Sequence, residues 1–390
     1  MAALPLAGLV VLEFAHTVMG PTCGVVLADL GADVIRVEPA PDGDRTRRLH
    51  GFATGFFAYF NRNKKSICID LKSPDGLAVA HDLLRRADIL IENFGPGTME
   101  RLGLGWDQAH AINPRLIYCA LKGFLPGPYE HRPALDEVVQ FMTGLAYMTG
   151  PPGQPLRAGS SVIDIMGGVM GDVAILAALR QRDRDGKGRK VTSALFESSA
   201  FLVGQHMAGE AASKQPALPM PVRSSAWGIY ETFPTASGDP LFIGITSDTH
   251  WRAFCAAFQR QDLLADPRFI SNADRVRNRP ALRDIVATIA RDHDIAALCA
   301  IFDRVGIPFS PVNKPADLFA DPQARAHALQ IRLPTGDMAA LPPLPIAIDD
   351  ATPSLRTQPP AAGEHTDQIL TELDYAPDKI AALRASGAIR

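Results

Sequence analysis

Few side chains in this sequence sit in patterns that announce a chemistry. After a first apolar run, Val10 to Phe14, comes Ala15-His16-Thr17-Val18-Met19-Gly20-Pro21. A nucleotide-binding fold would carry GxGxxG here, and that glycine pattern is missing. Pro21 also lacks an amide that could cradle a pyrophosphate. GxxxxGK[ST] is absent too, so a nicotinamide dehydrogenase or a P-loop enzyme has little support. The five cysteines, Cys23, Cys68, Cys119, Cys255 and Cys299, are dispersed and form no CxxC pair. They indicate neither a zinc site nor a disulfide framework, and read as buried, reduced thiols of a cytoplasmic protein. One acid stands out by position. Asp164 opens a helical stretch in Ser161-Val162-Ile163-Asp164-Ile165-Met166-Gly167-Gly168. Read alone, it is a helix N-cap. The same position would keep its carboxylate ionised through N–H donors and the helix dipole. Gly167 and Gly168 either admit a close backbone approach or mark a tight helix crossing.

These residues must be positioned by an alternation of strands and helices. Apolar runs at 10–14, 33–37, 66–71, 88–94 and 115–121 read as strands buried on both faces. Helices are expected at 20–30 and from Ser73-Pro74 to about 87, where serine can cap and proline can occupy the first turn. Such alternation means crossover connections and a Rossmann-like parallel sheet. Further helices are expected at 136–148, 165–182 and 197–211, with a strand at 189–196. Pro216, Pro219 and Pro221 mark an extended linker. Beyond it, Gly238-Asp239 forms the turn of a hairpin, followed by helices near 250–258 and 280–292. A second proline-rich stretch spans 333–360, and a short helical tail follows. That tail is too short to fold alone and must pack on the first domain or on a partner subunit.

Composition bounds the function. The 390 residues carry 39 Lys and Arg against 42 Asp and Glu, a net charge of −3. No cationic excess exists to bind nucleic acid. With 47% hydrophobic residues the chain is globular rather than disordered. The N-terminus has no signal-peptide pattern, and no run of about 18 apolar residues is evident, so no membrane partner is expected.

Several local motifs, taken in order, resemble those of the class III CoA-transferases. They are Gly20-Pro21; Leu27-Ala28-Asp29-Leu30-Gly31-Ala32-Asp33-Val34-Ile35-Arg36-Val37-Glu38-Pro39; Gly43-Asp44; and Asn61-Arg62-Asn63-Lys64-Lys65-Ser66-Ile67. Glu92-Asn93-Phe94-Gly95-Pro96-Gly97, Asn113-Pro114-Arg115-Leu116-Ile117-Tyr118, Gly186-Lys187-Gly188 and Gly363-Glu364-His365-Thr366 complete the order. The resemblance covers essentially the whole chain. It implies an α/β protein with a Rossmann-like large domain, 1–213 plus 331–390, and a smaller α+β domain, 226–330, joined by a linker at 214–225. It implies an interlocked, ring-like homodimer. It also implies acyl-CoA and carboxylic acid substrates, with CoA thioester as substrate and no permanently bound cofactor or metal.

By the same resemblance, Asp164 matches the catalytic aspartate, which passes through an anhydride and an aspartyl-CoA thioester. Gly167 and Gly168 would admit the backbone close to the reacting carbonyl. Val18, Leu71, Lys72, Asn93, Phe94, Gly95 and Arg101 fall at CoA-binding positions. Lys72 and Arg101 would meet phosphates, and Phe94 the adenine or the arm. An arginine frequent in the family falls at Pro39 here, so other cations, Arg45, Arg47 or Lys64, would compensate. The related α-methylacyl-CoA racemases carry a histidine where this chain has Leu135, ahead of Asp136. Leucine holds no proton, which argues against racemisation and leaves it as an alternative. Formyl-CoA transferases carry a tyrosine there, a glutamine at the position of Val18, and a glycine-rich flap that 224–240 lacks. The resemblance places Arg132, Leu135, Asp136, Gly167 and Gly168 at substrate-binding positions, and Arg132 could hold a second carboxylate bidentately. The stretch around it is similar to transferases of C4–C5 dicarboxylates, and to intramolecular C1–C4 mesaconyl-CoA transferases, which remain a further alternative.

Overall fold

A computed structural model describes residues 4–223 and 225–390. Residues 1–3, part of the N-terminal reading, and Ser224, part of the 214–225 linker, lie outside the described residues. Contacts divide the chain into two compact units, residues 1–222 with 323–390, and residues 223–322.

The first unit is built on six strands: β1 (Val10–Phe14), β2 (Asp33–Pro39), β3 (Lys64–Ile69), β4 (Ile89–Glu92), β5 (Ile117–Lys122) and β6 (Arg189–Ala194). All pair in parallel, in the order β3-β2-β1-β4-β5-β6. This is the doubly wound order, whose reversal between β1 and β4 opens a crevice at the carboxyl ends of the strands. Neighbouring residues of one strand serve opposite faces. Leu12 and Phe14 join Ile35, Val37 and Leu90 in one buried layer. Val11 joins Val34, Ile89, Ile91 and Cys119 in the other. Burial on both faces is why these strands read as unbroken apolar runs.

Helix α1 (Met19–Asp29) covers the second face, and α2 (Pro74–Arg86) the first. Ser73 caps α2, accepting from the Gly76 N–H, with Pro74 at the first position as its sequence predicts. The region expected to be one helix at 136–148 is two, α3 (Asp136–Met142) and α4 (Leu145–Thr149). Gly144 between them takes a left-handed φ of 84°, which no helix continues through. Helix α5 runs from Val162 to Asp185, three residues earlier than expected, and ends on left-handed Gly186. It packs against α1, β5 and β6. It is also long and apolar enough to cross a membrane, which the sequence reading did not anticipate. Helix α6 (Leu195–Ser213) follows β6 directly. The tail helices, Thr366–Glu372 and Pro377–Ala385, bury Ile369, Leu370, Ile380 and Leu383 in the first apolar layer, so the chain end packs on the unit that holds the chain start.

The second unit pairs Ile229–Pro234 with Pro240–Ile245 in an antiparallel hairpin, turned at Gly238 with φ 87°. Phe309–Pro311 adds a third strand. Helices Asp248–Ala257, Arg279–Arg291 and Ile295–Val305 close a core around Trp251, Phe254, Phe269 and Phe302.

Candidate active site

Two cavities lie at the carboxyl ends of the parallel strands. The larger, about 540 Å³, opens beyond β1, β2, β3 and β4, and Leu71, Lys72, Arg45 and Phe94 line it. The smaller, about 300 Å³, opens beyond β1, β4, β5 and β6. Val18, Asn93, Phe94, Gly95, Arg132, Leu135, Asp136 and Asp164 line that one. They meet at the strand-order reversal, where His16 and Phe94 line both. These two rings stack with centroids 5.7 Å apart. Asn93 fixes the junction: its Oδ1 accepts the His16 N–H at 3.0 Å, and its Nδ2 donates to the His16 carbonyl at 3.0 Å. Next to it, Thr17 has a φ of 65°, a strained value for a β-branched residue, held by its N–H on Thr46 Oγ1 at 3.1 Å.

Asp164 is the third residue of α5, so it does not cap the helix as its sequence position suggested. Asp136 does. One Asp136 oxygen accepts the N–H groups of Ile163 at 2.8 Å and Asp164 at 3.0 Å. A carboxylate from a separate helix thereby satisfies donors that the first turn of α5 leaves free. Among the described residues, none donates a hydrogen bond to the Asp164 carboxylate. Burial, and then the negative charge of Asp136, push its pKa up to about 7, with Arg157 opposing. The expectation that helix dipole and N–H donors keep Asp164 fully ionised therefore fails, because Asp136 takes the donors and adds a like charge.

The other expected residues divide. Leu135 is 69% exposed on the smaller cavity, and Arg132 lies beside it with its guanidinium 4.8 Å from the centre of the Tyr129 ring. Arg101 lines neither cavity; it is exposed and donates to Thr98 Oγ1 at 2.9 Å. Gly167 and Gly168 line neither as well. A Cβ on Gly168 would stand 2.6 Å from the Met19 carbonyl, and one on Gly167 2.5 Å from the Met19 side chain. They are the tight crossing of α5 on α1.

Of the three cations offered in place of the missing arginine at Pro39, only Arg45 faces the larger cavity. Arg47 is held by Glu38 and donates to the Pro360 carbonyl at 2.8 Å. Lys64 is fully buried, 2.7 Å from Glu13 and 3.0 Å from the Pro21 carbonyl. It belongs to an internal ion network in which Arg36 bonds Glu13, Asp44 and the Ala15 carbonyl. Within the family-like pattern, Arg36, Asn61 and Lys64 are thus scaffold beneath the cavity, while Glu38, Gly43 and Asp44 line it.

Two cavity cations were missed. Arg48 lines the larger cavity and Lys122 the smaller. Lys122 donates to buried Glu92 at 2.7 Å and to the Phe94 carbonyl at 2.8 Å. The available signal was positional: Lys122 and Glu92 are the charged last residues of apolar parallel strands, where ligands of such sheets bind. No cluster of three or more His, Cys, Asp or Glu that could hold a metal occurs among the described residues.

Residues 6–366 match CoA-transferase family III. The chain belongs to that family. It is 34% identical to a succinate–glutarate CoA-transferase of Agrobacterium fabrum (strain C58), over 95% of this chain and 96% of that one. It is 35% identical to an acetyl-CoA:oxalate CoA-transferase of Acetobacter aceti, over 84% and 86%. Its fold is similar to the crystal structure of a CAIB/BAIF family protein from Brucella suis, with a TM-score of 0.83, 34% identity, and coverage of 96% of this chain and 100% of that one. The chain is a class III CoA-transferase, an enzyme that moves CoA between acyl-CoAs and carboxylic acids.

Proposed function

We propose that this transferase moves CoA from an acyl-CoA donor to a C4–C5 dicarboxylic acid, with Asp164 as the covalent carrier. One observation carries the reading: a half-buried carboxylate without a hydrogen-bond donor faces a cavity that adjoins a second, larger one beyond the strand-order reversal. The larger space suits the nucleotide end of CoA. Arg45, Arg48 and Lys72 are there for phosphates, and His16 and Phe94 stand where the pantetheine arm would pass.

The chemistry follows from the carboxylate. Asp164 attacks the donor thioester carbonyl, the C–S bond breaks, and CoA leaves as thiolate. The thiolate attacks the aspartyl carbonyl of the anhydride, releasing the donor acid and leaving aspartyl-CoA. The acceptor carboxylate then displaces the thiolate. The thiolate attacks the acceptor carbonyl of the new anhydride and frees Asp164. No net proton moves and no metal enters the scheme. A raised pKa suits this role, because a poorly solvated, more basic carboxylate is a better nucleophile once ionised.

The dicarboxylate preference rests on Arg132, the cation without an ion partner among the described residues on the cavity that holds Asp164; Lys122 there is paired with Glu92. One carboxylate reacts while a cation receives the other. The relatives named for glutarate and oxalate also act on dicarboxylic acids. Donor thioesters tested against succinate, glutarate, oxalate and acetate, read by mass spectrometry, should show succinate or glutarate transfer dominating. Dominant acetate or oxalate transfer would contradict the assignment.

We infer in addition that the chain works as a homodimer. Val138, Phe141, Val173, Leu176, Phe201 and Met207 are exposed on α3, α5 and α6. An apolar face of this kind calls for a covering partner, and the interlocked arrangement implied by the family resemblance would supply one.

A further inference from the structure

Asp136 was expected to bind substrate, and it lines the smaller cavity. Its oxygens, however, are committed to protein donors. One accepts the Ile163 and Asp164 N–H groups; the other accepts Gln140 Nε2 at 2.5 Å. Gln140, one turn along α3 and fully buried, accepts the Ala158 N–H at 2.8 Å through its own Oε1. The segment from Ala158 to Asp164 is therefore tied to α3 at both ends. Ser161, the residue at the cap position of α5, makes no side-chain cap bond. The first turn of α5 takes its cap from a residue 28 positions earlier in the chain.

We propose that Asp136 is a positioning residue of the transfer reaction: its carboxylate fixes the first turn of α5, and with it the direction of Asp164, instead of binding substrate. The proposal rests on Asp164 being the covalent carrier. A carboxylate suits this position better than an amide. It accepts from three donors at once, whereas asparagine would bring an NH₂ group against the Gln140 amide or the α5 N–H groups. Asp136 also acts on Asp164 through its charge. The charged and titratable groups that share the cavity with Asp164 are His16 from the loop after β1, Lys122 from the end of β5, Glu130 and Arg132 from the loop before α3, and Asp136 from α3; Arg157, from the segment before α5, acts on it from outside the lining. Of these, Asp136 is the acid that raises its basicity, and Arg157, 4.0 Å from Asp136 and paired with Glu137, opposes it.

The test uses the full-length enzyme with succinyl-CoA and glutarate, measuring kcat, both KM values and the pH profile. Asp136→Ala should lower kcat about 100-fold, the loss expected of a misdirected nucleophile, with both KM values nearly unchanged. Asp136→Asn should retain more kcat than the alanine variant, and its acidic limb should move to lower pH, since the like charge is gone. Gln140→Leu, which leaves Asp136 in place, should lower kcat without moving that limb. A rise in the KM for the acid with kcat unchanged would make Asp136 a substrate ligand and overturn the proposal. So would an Asp136→Asn profile identical to that of the parent. If Asp136→Ala fails to fold, the other two variants decide the matter. Asp164→Ala separates the two levels: persistent transfer there refutes the carrier, whatever Asp136 does.

Discussion

Asp164 destabilises the fold that holds it. Its pKa rises from an ordinary 3.8 to about 7, so between those values the folded chain binds the proton more tightly than the unfolded chain does. Folding stability from this group is therefore full below pH 3.8 and is lost as pH rises through 7. Asp164→Asn removes the half-buried charge. It should raise the melting temperature by about 2–4 °C at pH 8, a gain that shrinks to about a third near pH 5 and vanishes only below pH 3.8. Differential scanning calorimetry at the two pH values checks this, and an equal effect at both would contradict it. Activity runs the opposite way. The reaction needs the ionised form, so kcat/KM of the parent should climb as pH rises and level off above about 7. Asp164 stood out from its ordered sequence context, and it lines the smaller cavity. Its protonation behaviour was not, because that depends on Asp136, a residue brought to it only by folding.

At the scale of elements, the crossing of α5 on α1 sets where that carboxylate stands. Gly168→Ala would push a methyl group against the Met19 carbonyl and the Thr22 Cβ, 2.6 and 2.8 Å away. It should destabilise the chain by about 1–3 kcal/mol, read as a lower urea midpoint at unchanged slope. The ion network under β1 and β2 is equally exacting. Arg36→Met leaves Asp44 buried without its ion partner and Glu13 with Lys64 alone, and should cost about 3–5 kcal/mol in the same measurement. The strands were readable because burial on both faces leaves an unbroken apolar record in the sequence. The beginning of α5 was not, because its cap lies in α3 and no local residue signals it. The break at Gly144 escaped for a related reason: glycine is tolerated within helices, and only its positive φ ends one.

At the scale of the whole molecule, the near-neutral charge fits a ligand whose phosphates need a few placed cations and no basic field. The covering of the apolar face on α3, α5 and α6 predicts association. The purified chain should sediment at twice its 41.9 kDa mass, and Val173→Glu on the exposed side of α5 should shift it toward the single-chain mass. A parent that sediments as one chain at micromolar concentration would contradict the dimer. The ordered motifs made the family and the parallel sheet legible from end to end. They did not separate scaffold from site, because Arg47 and Lys64, which look in sequence like anion ligands, are held by Glu38 and Glu13. The central claim is that Asp164 carries the CoA covalently. Its most direct test is to incubate the enzyme with succinyl-CoA, add hydroxylamine and map the peptides by mass spectrometry. A hydroxamate should form on Asp164 and be absent from the Asp164→Ala enzyme. An unmodified Asp164 in an enzyme that still turns over in the presence of hydroxylamine would contradict it.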